Sequence, residues 1–174
     1  DAILKTAAPG KGENDLEAAF RAVAIRAGER ELGFPPIIAS GKNALLGHYG
    51  ANSRPLEDGA LVLLDLGCNA DYYSADVSRA FPANGKFSGF QRALYGAVLR
   101  AHKEILAELG PGEWLRENRE KNTARIAAIL GEAGFSAETH EGFWCFGGVD
   151  HYLGLDTHDV GMYDAPFAPG MVVT

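Results

Sequence analysis

Cysteine is nearly absent from this chain. Cys68 and Cys145 are the only two in 174 residues, too few and too far apart for a disulfide framework or a zinc knuckle, which points to a reducing compartment and so to the cytoplasm. No apolar run approaches the ~18 residues that a membrane helix requires, so no membrane partner is expected. A basic surplus is missing as well. The net charge is −7 and the Lys and Arg residues are dispersed among acids, which argues against nucleic acid, because phosphates need a basic face. The Gly10-Lys11-Gly12 and Gly110-Pro111-Gly112 triplets have no phosphate-loop pattern around them and read as turns. Repeats, low-complexity stretches and linkers are also lacking, so residues 1–174 are read as a single domain, one that buries roughly 70% of its extended-chain surface. There is no signal peptide, transit peptide or lipidation signal, although the sequence starts with Asp1 and not Met.

What is present alternates helix and strand signals. Asn14-Asp15-Leu16-Glu17 has the form of a helix start ahead of the apolar positions Leu16, Phe20, Val23 and Ala24, with an end near Gly28. Pro35-Pro36 bars helix; Ile37-Ile38-Ala39 and Ala44-Leu45-Leu46 are then predicted as strands around a Gly41-Lys42-Asn43 turn. Two more strands follow in LVLLDLG and YYSADVSRAF, the second ending at Pro82. Ser88 opens a long helix with a stripe of Leu94, Val98, Leu99, Ile105 and Leu106, stopped by Gly110-Pro111-Gly112. A further helix from about Trp114 to Glu132 turns Ile126, Ile129 and Leu130 toward the core, and MVVT begins a last strand. Helices separated by antiparallel strand pairs predict an α+β fold, with helices covering one face of a curved antiparallel sheet.

The chemical centre of the sequence is the pair Asp65 and Asp76. Each interrupts an apolar or aromatic run, where a solitary carboxylate carries a desolvation cost of several kcal/mol. The Gly67-Cys68-Asn69-Ala70-Asp71 cluster between the runs predicts neighbouring antiparallel strands joined by a short loop. Carboxylates brought together this way repel unless they share a proton or a cation. HYLGLDTH, with His151 and His158 seven residues apart, favours the cation: carboxylates with an imidazole make an oxygen-dominated site suited to Mn²⁺, Co²⁺ or Zn²⁺. Blander roles exist for each residue. Arg79 is a candidate ion-pair partner for Asp76, Asp156 and Asp159 read as turn or cap residues, Cys68 as a small buried residue, and Tyr72, Tyr73, Trp144 and Phe146 as core or pocket wall.

The blocks ASGKNALLGHYG, LVLLDLGCNADYYSADVSRAFPANGKFS and HYLGLDTHDVG together resemble the catalytic domain of the Xaa-Pro aminopeptidases and Xaa-Pro dipeptidases (prolidases), over nearly all of residues 14–174. That resemblance implies the pita-bread, creatinase-like fold and hydrolysis of the peptide bond preceding proline in a peptide or dipeptide. It implies two divalent metal ions, Mn²⁺ foremost, with a metal-activated water as nucleophile. Asp65, Asp76 and His151 map onto metal ligands, and His48 and His158 onto the histidines that assist substrate and transition-state binding. Family members continue past this point to two Glu ligands, one of which handles the proton, whereas the sequence ends at Thr174. The domain is therefore expected to be incomplete at its C-terminus, weak or inactive alone, and inclined through its open sheet edge to associate as a homo-oligomer, a dimer in the simplest case. Gly147 stands where the family commonly has His, and Asp150 where Gly or Ser is common. Two other readings compete: a metal-free pita-bread module that binds a peptide or partner protein, and a creatinase-like amidinohydrolase, against which the intact Asp pair argues.

Overall fold

A computed structural model describes residues 1–135 and 150–174. The positions of Cys145, Trp144, Phe146 and Gly147 lie outside the described residues. The chain divides into two compact units, Asp1–Ser88 with Leu153–Thr157, and Gly89–Tyr152 with His158–Thr174.

The first unit begins with a short helix α1 (Ala2–Thr6) and then α2 (Glu13–Arg26). The start of α2 lies two residues earlier than the Asn14 cap predicts, with Gly12 at the cap position. Asp15 Oδ2 accepts a hydrogen bond from the Gly12 N–H at 2.8 Å, and Glu13 and Asp15 place negative charge on the positive end of the helix dipole. Leu16 and Ala24 are buried, whereas Val23 is exposed. The inward stripe is thus narrower than expected.

Strand β1 (Ile37–Ser40) is buried at every residue. A 3-10 helix over Gly41–Leu45 follows, in place of the second strand predicted at Ala44-Leu45-Leu46. Leu45 and Leu46 are exposed, so the apolar dipeptide signals a strand that no core is there to receive. Strand β2 (Leu61–Leu66) pairs antiparallel with both β1 and β5 (Val77–Pro82), giving the sheet order β1-β2-β5. Alternation sends Val62 and Leu64 to one face, where they form a core with Leu16, Ile38, Leu56 and Ala83. Truncating a residue as enclosed as Leu16, at 0% exposure, costs about 2–5 kcal/mol.

The β2–β5 connection is more than the predicted short loop. It contains a second antiparallel pair, β3 (Asn69–Ala70) with β4 (Tyr73–Ser74). The run YYSADVSRAF is therefore two strands with a break at Ala75-Asp76. Gly67 makes that fold-back possible: a Cβ there would lie 1.7 Å from the Ala75 carbonyl oxygen, a position no side chain can occupy. Tyr72 and Tyr73 stand out from this hairpin, 79% and 63% exposed, and so are neither core nor buried wall.

In the second unit, α3 (Gly89–Glu108) and α4 (Leu115–Glu132) pack through Ala97 and Ala101 against Ile129, Leu130 and Phe135. The predicted Ile129 and Leu130 are buried. On α3, however, the small Ala97 and Ala101 form the contact while Val98, Leu99 and Leu106 are exposed. A satellite cluster joins Tyr152 and Phe167 with Leu109, Met171 and Val173. The predicted MVVT strand is reduced to an isolated bridge between Tyr152 and Val173.

Candidate metal and active site

In the first unit the sheet register builds the carboxylate pair. Asp65 faces Ser78 across β2 and β5, on the opposite side of β2 from Leu64, and Ser78 Oγ donates to Asp65 Oδ1 at 2.9 Å. The break after β4 then brings the Asp76 carboxyl into hydrogen-bonding contact with Asp65. Burial pushes the Asp65 carboxyl above its ordinary value; the Ser78 hydroxyl opposes this, and both the charge of Asp76 and the hydrogen bond with it push upward again. His48 acts on Asp65 in the stabilising direction. His48, Asp65 and Asp76 thus meet electrostatically in one unit. Arg79, the alternative partner for Asp76, donates through Nη1 to the Ser78 carbonyl at 2.7 Å.

The loop that carries His48 is unusual backbone. His48 and Asn52 have φ of 54° and 43°, the left-handed region that few non-glycine residues adopt. Asn52 is held there from three directions. Its Oδ1 accepts from the Ile38 N–H at 2.9 Å, and its Nδ2 donates to the Glu17 carboxylate and the Pro36 carbonyl, each at 2.8 Å. Sequence reading missed both Asn52 and Glu17 as parts of this arrangement.

In the second unit His151 and His158 meet edge to face, their ring centroids 4.4 Å apart. His151 Nδ1 lies 3.0 Å from the Tyr152 carbonyl oxygen. A carbonyl can only accept, so Nδ1 is the donor in this contact. The same carbonyl accepts from the Asp159 N–H at 3.1 Å, which ties the two ends of the His151–His158 segment together. Asp159 Oδ1 in turn accepts from the Val160 N–H at 2.8 Å, in keeping with a turn role.

Arg119 on α4 secures the residue before His151. Its Nε donates to Asp150 Oδ1 at 2.8 Å and its Nη2 to the Asp150 carbonyl at 2.7 Å, while the guanidinium sits 5.1 Å from the Tyr163 ring centroid. On the other side, the His151 and Thr174 backbones exchange hydrogen bonds of 3.3 and 3.0 Å. Nothing in the sequence pattern marked Arg119, because an Arg among the charged residues at the start of a helix reads as a solvated face.

The structure thus brings Asp76 against Asp65 in the first unit, with His48 acting on Asp65 through its charge, and His151 against His158 in the second. Among the described residues, no group of three or more His, Cys, Asp or Glu side chains is gathered as a metal site. The pair nonetheless suits a divalent cation chemically: two carboxyls that hydrogen-bond to each other need a proton on one of them, and a bound cation can take the place of that proton. Cys68 is half-buried and lines an apolar cleft of about 250 Å³ with Phe20, Leu64 and Val77.

Comparison with known proteins gives the class to which this α+β arrangement belongs. The sequence matches metallopeptidase family M24 over residues 1–174, and the chain belongs to that family. It is 34% identical over 184 residues to an Xaa-Pro aminopeptidase of Haemophilus influenzae, covering 98% of this chain and 43% of the relative. An Xaa-Pro dipeptidase of Mus musculus is 33% identical over 174 residues, covering 92% of this chain and 35% of the relative. A Bacillus anthracis structure assigned as an aminopeptidase P superposes with a TM-score of 0.92 at 40% identity, covering 99% of this chain and 42% of that one. The fold is accordingly the pita-bread fold of aminopeptidase P. The chain spans less than half the length of each of these proteins.

Proposed function

We propose that this chain is part of the catalytic domain of an Xaa-Pro peptidase, hydrolysing the peptide bond that precedes proline in a peptide or dipeptide. Asp65, Asp76 and His151 hold divalent metal, with Mn²⁺ foremost and Co²⁺ or Zn²⁺ as alternatives; His48 and His158 touch substrate. The observation that carries the reading is the Asp65–Asp76 contact. Two carboxyls brought together, one on β2 and the other in the break before β5, with burial pushing the first upward, gain nothing for the fold and everything for a cation. Bound metal supplies Lewis acidity, polarising the scissile carbonyl and lowering the pKa of water. This chain's residues do the rest. Ser78 and the strand register orient Asp65, and the Nδ1–H of His151, held by the Tyr152 carbonyl, fixes the rotation of its ring. An imidazole N–H from His48 or His158 holds the negative charge that develops on the carbonyl oxygen, or the carboxylate of the substrate. Membership of a metallopeptidase family supports the reaction class, and relatives named for Xaa-Pro substrates support the specificity. We place the protein in the cytoplasm as a homodimer, without nucleic-acid or membrane partners, and read residues 1–174 as one domain.

The test is elemental analysis of the protein after loading with Mn²⁺ and gel filtration, beside an Asp65→Asn control, followed by assay on Xaa-Pro dipeptides and Xaa-Pro peptides. Stoichiometric Mn²⁺ lost in the control, with proline-bond cleavage by the full-length protein, is the expected result. Full-length protein that binds no divalent metal and cleaves none of these substrates would overturn the reading in favour of a metal-free binding module.

A further inference from the structure

The first unit contains a buried acid that the reaction does not use. Glu13, at the start of α2, is 0% exposed, and both of its carboxylate oxygens are fully engaged. Oε1 accepts from the Ser40 N–H and the Ser40 hydroxyl at 2.7 Å each, and from Asn43 Nδ2 at 3.2 Å. Oε2 accepts from the Tyr49 hydroxyl at 2.8 Å and the Arg54 N–H at 2.9 Å. The Glu13 N–H also donates to the Arg54 carbonyl at 2.9 Å. All of these partners belong to one stretch of chain, residues 40–54, and they touch its beginning, its middle and its end.

That stretch is the one that carries His48. It has little regular structure after the 3-10 helix, and its two left-handed non-glycine residues, His48 and Asn52, hold a conformation that such residues keep only where the surroundings impose it. His48 itself is exposed, so packing against the core does not impose its conformation. Its neighbour Tyr49 is tethered directly to Glu13, and Asn52 is tethered to Glu17, one helical turn along α2. A single face of α2 therefore holds the loop on both sides of His48.

From this geometry we infer that Glu13 is a positioning residue for His48: by gathering Ser40, Asn43, Tyr49 and Arg54 on one carboxylate, it holds the histidine in the left-handed conformation that presents its ring to substrate. This rests on the reading of His48 as a substrate-contacting group. Tyr49 is the link through which the effect reaches the ring, and it is separable from the fold. Removing its hydroxyl deletes the bond to Glu13 and the long 3.4 Å bond it accepts from the Ser53 N–H, and leaves the other four donors on Glu13.

The experiment uses the full-length protein and four variants, Tyr49→Phe, Glu13→Gln, His48→Ala and the double Tyr49→Phe/His48→Ala. The readouts are the His48 imidazole resonances of the metal-free protein by NMR, and kcat and KM of the Mn²⁺-loaded enzyme on an Xaa-Pro dipeptide. The expected result is that Tyr49→Phe shifts the His48 resonances and lowers kcat by about 10- to 100-fold with KM and Mn²⁺ stoichiometry retained. The double variant should then be no worse than His48→Ala, the non-additivity of residues acting as one unit. Glu13→Gln should move the same resonances further. If His48→Ala lowers kcat while Tyr49→Phe and Glu13→Gln leave both the His48 resonances and kcat unchanged, Glu13 only pins the fold and the inference fails. If His48→Ala leaves kcat unchanged, it is the catalytic reading of His48 that fails, and the positioning role falls with it.

Discussion

Ser78 lies opposite Asp65 in the β2–β5 ladder and gives it a hydroxyl hydrogen bond of 2.9 Å, while Asp76 presses a second carboxyl against the same group. One neighbour accommodates the charge and the other opposes it. In metal-free protein the pair is therefore a liability that a neutral side chain removes. Asp65→Asn is expected to raise the melting temperature of the metal-free protein by roughly 2–4 °C, the shift that about 1 kcal/mol produces in a chain of this size. The same variant should lose divalent-ion binding by calorimetry. A lower melting temperature for the metal-free variant would show that the pair is held together for the sake of the fold.

Acid should weaken the first unit through Glu13. Burial alone would raise its pKa, but hydrogen bonds from Arg54, Ser40 and Tyr49 outweigh it and leave the carboxyl below its ordinary 4.5. A depressed folded value means that the stabilisation is fully present above pH 4.5 and is lost as pH falls through the lower, folded value. Urea unfolding repeated between pH 6 and pH 3 checks this. Wild-type stability should decline over the acid limb, and Glu13→Gln, already lacking the charge, should start lower and decline less steeply.

Arg119 is expected to matter more than its place on a charged helix suggests. Its carboxylate partner Asp150 has a side chain only 6% exposed, and among the described residues Asp150 Oδ2 has no hydrogen-bond partner. Arg119→Ala strands that buried charge and should cost about 3 kcal/mol in urea denaturation. Adding Asp150→Ser to Arg119→Ala should recover part of the loss. Equal stability of the single and double variants would mean that the pair is not coupled.

The β3–β4 hairpin turns on Asp71 and Tyr72, whose φ values are 49° and 72°. Both central residues of this two-residue turn are left-handed, as a type I′ turn demands, and glycine is the residue that meets the demand without strain. Tyr72→Gly should stabilise the protein by about 1 kcal/mol, read as a higher urea midpoint. A destabilised variant would reveal that the Tyr72 ring makes a contact worth more than the strain.

Much of the site is legible in the residue pattern alone. Reading LVLLDLG as a strand is enough to put Leu64 and Asp65 on opposite faces, and an acid in each of two adjoining strand-like runs foretells a pair, because side-chain period and turn chemistry are local properties of the chain. The exits and entries are less readable. Ala44-Leu45-Leu46 has strand composition but forms a 3-10 helix and a loop, and Tyr72 and Tyr73 stand in solvent; composition records what a residue would gain from burial, not whether a partner surface is available. Glu13 shows the limit best. A glutamate at a helix start reads as a solvated end, and only the return of residues 40–54 over α2 supplies the five donors that make its burial favourable. The sequence by itself determined the helices, the Asp-bearing strands and the kinds of side chain available to a cation. The tertiary structure decided which of those groups meet, since that depends on backbone donors and neighbours far away in the chain, brought together by folding.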